Sequence, residues 1–124
     1  MKTILLVEDD PFLIDIYTTK LKESGFSADV ATSGDEGLKK LREKKFDILV
    51  LDIVLPKIDG WEMLEKIKNA PHQYGGGRLK IIVLSNLGQK EEVEKGLRLG
   101  AEKYLIKAHY APSEVVEEIK KVLK

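Results

Sequence analysis

The chain has no cysteine, which excludes a disulfide framework, thiolate metal sites and a cysteine nucleophile. It has no charge bias either, with 21 Lys and Arg against 21 Asp and Glu and no long block of either sign. That balance leaves no electrostatic footprint for nucleic acid or an acidic membrane surface. No apolar run reaches the length of a membrane span. The stretch Ile4-Leu5-Leu6-Val7 is too short for a signal segment, and acids follow it at once. Internal repeats and low-complexity tails are missing. The two histidines, His72 and His109, stand alone and read as surface residues. What these absences leave is a soluble, cytoplasmic protein without direct nucleic-acid contact or membrane insertion. Its 124 residues have the size of one domain, which buries roughly two-thirds of the surface its unfolded chain exposes.

What is present is alternation. Five apolar runs of strand length, Thr3 to Glu8, Ser27 to Ala31, Asp47 to Leu51, Leu79 to Leu84 and Lys103 to Ile106, are separated by helical patterns. That order predicts a parallel sheet with crossover helices on both faces. The first helix has Asp10 as N-cap, Pro11 at its first position and Gly25 just past its end. Ser33 with Glu36, and Asp59 with Glu62, have capping-box spacing. They predict helices ending near Lys44 or Lys45 and near Asn69. A fourth helix spans about Gln89 to Leu99 before Gly100, and a fifth runs from near Pro112 to the terminus. The segment Pro71-His72-Gln73-Tyr74-Gly75-Gly76-Gly77-Arg78 lacks the spacing of a phosphate-binding loop and lies at the wrong end of such a sheet. It reads as a flexible tether.

In an open parallel sheet, chemistry gathers at the carboxyl ends of the strands. Glu8 and Asp9, Asp52, Ser85 and Lys107 all fall at such ends. Three carboxylates held about 4 Å apart repel by roughly 4 kcal/mol per pair at an effective dielectric near 20, so a cation or protons must offset them. A donor set made only of oxygens suits Mg²⁺. A divalent ion would also keep Asp52 ionised, as a carboxylate nucleophile requires.

The string Ile4-Leu5-Leu6-Val7-Glu8-Asp9-Asp10, then Leu49-Val50-Leu51-Asp52-Ile53-Val54-Leu55-Pro56 with Asp59-Gly60, then Val83-Leu84-Ser85, then Gly100-Ala101 and Tyr104-Leu105-Ile106-Lys107, resembles the receiver domain of two-component response regulators. The resemblance covers essentially the whole chain. It implies an α/β, flavodoxin-like, doubly wound (βα)5 sandwich with parallel strand order 2-1-3-4-5, formed by residues 1–124 as one receiver domain. It further implies that Asp52 accepts a phosphoryl group from a histidine kinase or phosphotransfer protein. Glu8, Asp9, Asp52 and the backbone carbonyl of Val54 would hold Mg²⁺, and Lys107 would contact the phosphoryl group. Ser85 and Tyr104 would switch the surface of the fourth helix, fifth strand and fifth helix for a downstream protein target. The domain would be a signalling switch rather than an enzyme, though assisting its own phosphorylation and dephosphorylation. It would be a monomer before phosphorylation, with dimerisation afterwards left open.

Two competing readings fare worse. A flavodoxin-like cofactor binder needs glycine and backbone N–H groups in the first turn, where acids stand. A dehalogenase-type phosphatase needs an Asp-x-Asp pair, absent at Asp52-Ile53-Val54. A pseudo-receiver that binds partners without phosphorylation is the remaining alternative, and the intact Glu8, Asp9, Asp52, Ser85 and Lys107 set argues against it. Ala108 follows Lys107 where receivers commonly have proline, and Asn86 stands where a small residue is common. A cis bond to Ala108 would cost about 3 to 4 kcal/mol, which predicts a trans bond and a rearranged loop through His109 and Tyr110. Val54 and Leu87 are apolar, so neither side chain can orient an attacking water, and slow loss of the phosphoryl group is expected.

Overall fold

The computed structural model describes residues 1–75 and 77–124. Five strands, β1 (Thr3–Val7), β2 (Ser27–Ala31), β3 (Ile48–Leu51), β4 (Lys80–Ser85) and β5 (Lys103–Ile106), alternate with five helices. The helices are α1 (Pro11–Glu23), α2 (Gly34–Glu43), α3 (Gly60–Asn69), α4 (Lys90–Arg98) and α5 (Pro112–Leu123). All neighbouring strands pair in parallel, in the order β2-β1-β3-β4-β5. The parallel pairing is what the alternation predicts, and the flavodoxin-like strand order is the one the receiver-domain resemblance implies.

Strand residues supply two cores because their side chains alternate across the sheet. Leu5 and Val7, Leu49 and Leu51, and Ile81 and Val83 face a cluster completed by Leu38 and Leu41 of α2 and by Met63, Leu64 and Ile67 of α3. Ile4 and Leu6, Ile48 and Val50, and Ile82 and Leu84 face the opposite cluster with Tyr17 and Leu21 of α1 and Val115, Val116 and Ile119 of α5. Burial on both faces explains why β1, β3 and β4 read as unbroken apolar runs rather than as alternating ones.

The caps follow the sequence. Asp10 Oδ1 accepts from Phe12 N at 2.9 Å, Ser33 Oγ from Glu36 N at 3.4 Å and Asp59 Oδ1 from Glu62 N at 3.0 Å. Gly25 and Gly100, past the ends of α1 and α4, have φ of 87° and 115°, a region glycine enters without steric cost.

Four boundaries differ from expectation. β1 ends at Val7 rather than Glu8, although the Glu8 N–H still bonds the Ala31 carbonyl at 3.0 Å. β3 begins at Ile48 rather than Asp47, whose carboxylate accepts from the Thr3 N–H and Oγ1 at 2.8 and 3.2 Å. β4 starts one residue later than the apolar run and takes in Ser85. The stretch after α3 is anchored rather than a free tether: Pro71–Gln73 form a 3-10 turn, and Tyr74 is buried in the α2–α3 core with its phenol accepting from Arg42 Nη1 at 3.4 Å. Gly76, part of that expected tether, lies outside the described residues.

Candidate functional site

Parallel pairing brings the carboxyl ends of β1, β3, β4 and β5 to one rim. The chain leaves β1 into Glu8 and Asp9 and leaves β3 into Asp52. Glu8, Asp9 and Asp52 each offer a carboxylate oxygen, and these oxygens lie within 4.8 Å of one another. Glu8 is only 2 % exposed, Asp52 is nearly as buried, and Asp9 is open to solvent. From the far side of the sheet Lys107 reaches in. Its Nζ stands 2.7 Å from Glu8 Oε1 and 2.7 Å from Asp52 Oδ2.

Each buried carboxylate has its remaining oxygen occupied by backbone. Glu8 Oε2 accepts from Asp9 N and Asp10 N, both at 3.1 Å, and Asp52 Oδ1 accepts from Ile53 N at 2.7 Å. Burial pushes the Glu8 carboxyl above its ordinary value, and the charge of Asp52 adds to that, against the opposing pull of Lys107 and the Asp10 N–H. For Lys107 burial pulls downward, but the hydrogen bonds to Asp52 and Glu8 and their negative charges outweigh it, so its ammonium is held above the ordinary lysine value.

The donor set is oxygen only, and two of its three carboxylates are removed from water with one ammonium among them. That arrangement fits a hard divalent cation such as Mg²⁺, which takes one or two carboxylates and keeps several waters. Val54 follows on the loop out of β3 with its side chain 63 % exposed, so it places no polar group over the cluster.

The second layer lies at the end of β4. Ser85 is fully buried and its Oγ accepts from Leu87 N at 3.3 Å. Tyr104, on β5, donates its phenol proton to the Leu87 carbonyl at 2.6 Å. Burial, with the charges of Glu92 and Asp52, pushes that phenol up to about 12, so it stays a donor throughout the neutral range. The β4–α4 loop is thereby held at two successive points by residues on either side of it.

The profile of the response regulator receiver domain family matches residues 4–120. The chain belongs to that family. Among its relatives, the alkaline phosphatase synthesis transcriptional regulatory protein PhoP of Bacillus subtilis is 34% identical over 99% of this chain and 49% of its own length. The transcriptional regulatory protein CusR of Escherichia coli is 32% identical over 98% of this chain and 51% of its own. The chain thus spans about half the length of the curated relatives it matches. A CheY-like receiver domain protein from Methanospirillum hungatei superposes with a TM-score of 0.86 at 31% identity, covering 99% of this chain and 94% of that one.

Of the side chains to which the resemblance gives a role, Glu8, Asp9, Asp52, Ser85 and Lys107 stand at strand ends on one rim, and Tyr104 lies within β5. Glu8, Asp9, Asp52 and Lys107 converge directly, while Ser85 and Tyr104 meet through Leu87. The turn Lys107–His109 is a 3-10 turn with no cis peptide among the described residues, as the cost of a cis bond to alanine requires. His72 and His109 are exposed, and neither belongs to the acidic cluster. Among the described residues, no helix is long and apolar enough to cross a membrane.

Two glycines matter more than their sequence context suggests. A Cβ on Gly60 would sit 2.5 Å from the Asp52 carbonyl oxygen, and one on Gly96 would sit 2.6 Å from the Tyr104 ring. Gly60 lets α3 start directly against the strand end that carries Asp52. Gly96 leaves α4 the hollow that Tyr104 occupies. An isolated glycine inside a helical pattern is the signal that marks Gly96.

Proposed function

We propose that this receiver domain, residues 1–124, is a phosphorylation-activated switch that accepts a phosphoryl group on Asp52 from the phosphohistidine of a histidine kinase or phosphotransfer protein. The observation that carries the reading is Lys107 Nζ at 2.7 Å from both Glu8 and Asp52: a buried ammonium fixed where negative charge on a transferring phosphoryl group must be met. An Asp52 carboxylate oxygen attacks phosphorus, and the P–N bond to the donor imidazole breaks. The electron pair stays on the nitrogen, and an acyl phosphate forms. Little covalent work is asked of the protein in such a transfer; positioning and charge stabilisation do most of it.

Glu8, Asp9, Asp52 and the Val54 carbonyl would hold Mg²⁺, which when bound neutralises charge on the phosphoryl oxygens. Lys107 gives up part of its contact with the Asp52 carboxylate and donates to the phosphoryl group instead. Ser85 turns its hydroxyl from the Leu87 amide toward a phosphoryl oxygen. That releases the β4–α4 loop on which Tyr104 is fastened, a local electrostatic change biasing a two-state surface. The α4-β5-α5 face is then read by a downstream protein target. The domain is a switch rather than an enzyme with a released product, works in the cytoplasm without direct nucleic-acid contact, and is monomeric until phosphorylated.

Incubation with acetyl phosphate tests this. The expected result is one equivalent of acetate released per chain in Mg²⁺, with a hydroxylamine-labile label on Asp52. If none is released in Mg²⁺ while partner binding persists, the domain works as a pseudo-receiver instead.

A further inference from the structure

We infer that Asn86 is a positioning residue for Lys107, acting through the backbone of Ala108; this rests on the reading of Asp52 and Lys107 as the reaction centre. Asn86 Oδ1 accepts a hydrogen bond from Ala108 N at 3.2 Å, joining the β4–α4 loop to the turn after β5 across 22 residues of sequence. Lys107–His109 form a single 3-10 turn closed by Tyr110 N on the Lys107 carbonyl at 3.3 Å. The first amides of any such turn have no acceptor inside it. Ala108 has an N–H to offer because it is not proline, and Asn86 supplies the missing acceptor from another loop. The carboxamide therefore caps the turn that aims Lys107.

The position of Asn86 gives that cap a second consequence. It stands between Ser85, whose hydroxyl accepts from Leu87 N, and Leu87, whose carbonyl holds the Tyr104 phenol. Neighbouring residues of one loop thus hold two separate parts of the site, Asn86 the Ala108 amide and Leu87 the Tyr104 phenol, while Ser85 is tied to the same loop through Leu87. Displacement of Ser85 toward a bound phosphoryl group carries Asn86 with it, and through Ala108 shifts the turn beneath Lys107. The two loops move together, so Lys107 follows the phosphoryl group as Ser85 closes on it. A serine or alanine at position 86 is too short to bridge that gap, and a proline at position 108 has no proton to give.

Two measurements test the inference. Amide hydrogen exchange reads the contact without any phosphoryl transfer: Ala108 N–H is protected in the native chain, exposed to exchange in Asn86→Ala, and protected again in Asn86→Asp, which keeps the acceptor oxygen. Phosphorylation by acetyl phosphate in Mg²⁺ reads the consequence. Asn86→Ala should slow it by about threefold to tenfold, the range that loss of one hydrogen bond gives, and should cause no further slowing in a Lys107→Ala background. An unprotected Ala108 amide in the native chain, or an Asn86→Ala loss of equal size with Lys107 absent, overturns the inference. A native chain that takes no phosphate at all overturns the reaction-centre reading instead, while the exchange measurement still decides the contact.

Discussion

Replacing Lys107 with methionine removes one charge but keeps most of the stem, so the change isolates electrostatics at the rim. At 2.7 Å from each of two carboxylates, the ammonium attracts each by about 6 kcal/mol at an effective dielectric of 20, before the cost of burying the charges. Without it, Glu8 and Asp52 face each other with oxygens within 4.8 Å, a repulsion of about 3.5 kcal/mol or more on the same scale. Removing one partner of a buried ion pair costs about 3 to 5 kcal/mol, a large share of a domain stability of roughly 5 to 15 kcal/mol. Urea unfolding at neutral pH in a chelator should therefore show the midpoint falling by roughly 2 M, taking a slope near 2 kcal/mol per molar. Saturating Mg²⁺ supplies the missing positive charge and should recover half of the loss or more.

The pH dependence has a definite sign. Glu8 already sits above the ordinary carboxylate value through burial, and losing its Lys107 hydrogen bond raises it further. The penalty is full above the variant's Glu8 value and shrinks as pH falls through it, when a proton cancels the repulsion. Lys107 is held above its ordinary value, so the native chain keeps the ammonium's stabilisation up to alkaline pH and loses it only above that. A destabilisation under about 1 kcal/mol in chelator, or one of the same size with Mg²⁺ and at acid pH, refutes this electrostatic account.

Mg²⁺ should raise the thermal midpoint of the native chain in a saturable way, by about 2.7 kcal/mol of stability at a hundredfold excess over Kd. Asp9→Asn should flatten that response, and an unchanged Mg²⁺ dependence would remove Asp9 from the site. Gly60→Ala should cost about 1 to 3 kcal/mol in chemical unfolding, the cost of overpacking, because the new methyl meets the Asp52 carbonyl at 2.5 Å; a neutral effect would show that α3 yields without cost. Timing loss of the phosphoryl group in a Val54→Asn, Leu87→Glu double variant should give a faster decay than the native chain, and equal rates sink the idea that their apolar side chains slow hydrolysis.

Much of this site could be read from the chain because strand ends are local features. An apolar run with an acid at its carboxyl end, as in Leu49-Val50-Leu51-Asp52, announces both the strand and its rim. Caps such as Asp10, Ser33 and Asp59 need only four residues of context. What stayed hidden depends on contacts between distant residues. Tyr74 looked like part of a tether because nothing nearby shows that Arg42 and the α2–α3 core receive it. The contact between Asn86 and Ala108 joins two departures from the usual receiver pattern that are separated by 22 residues, and each alone is only an unusual residue. Gly96 reads as a weak spot in α4 until the Tyr104 ring is placed over it.

The central claim is that Asp52 takes the phosphoryl group. Intact-mass measurement after incubation with acetyl phosphate tests it most directly, run on the native chain and on Asp52→Asn, each with Mg²⁺ and with chelator. The account predicts a gain of one phosphate, removed by mild alkali, in the native chain with Mg²⁺ and in no other sample. A gain that survives Asp52→Asn, or no gain in the native chain with Mg²⁺, contradicts it.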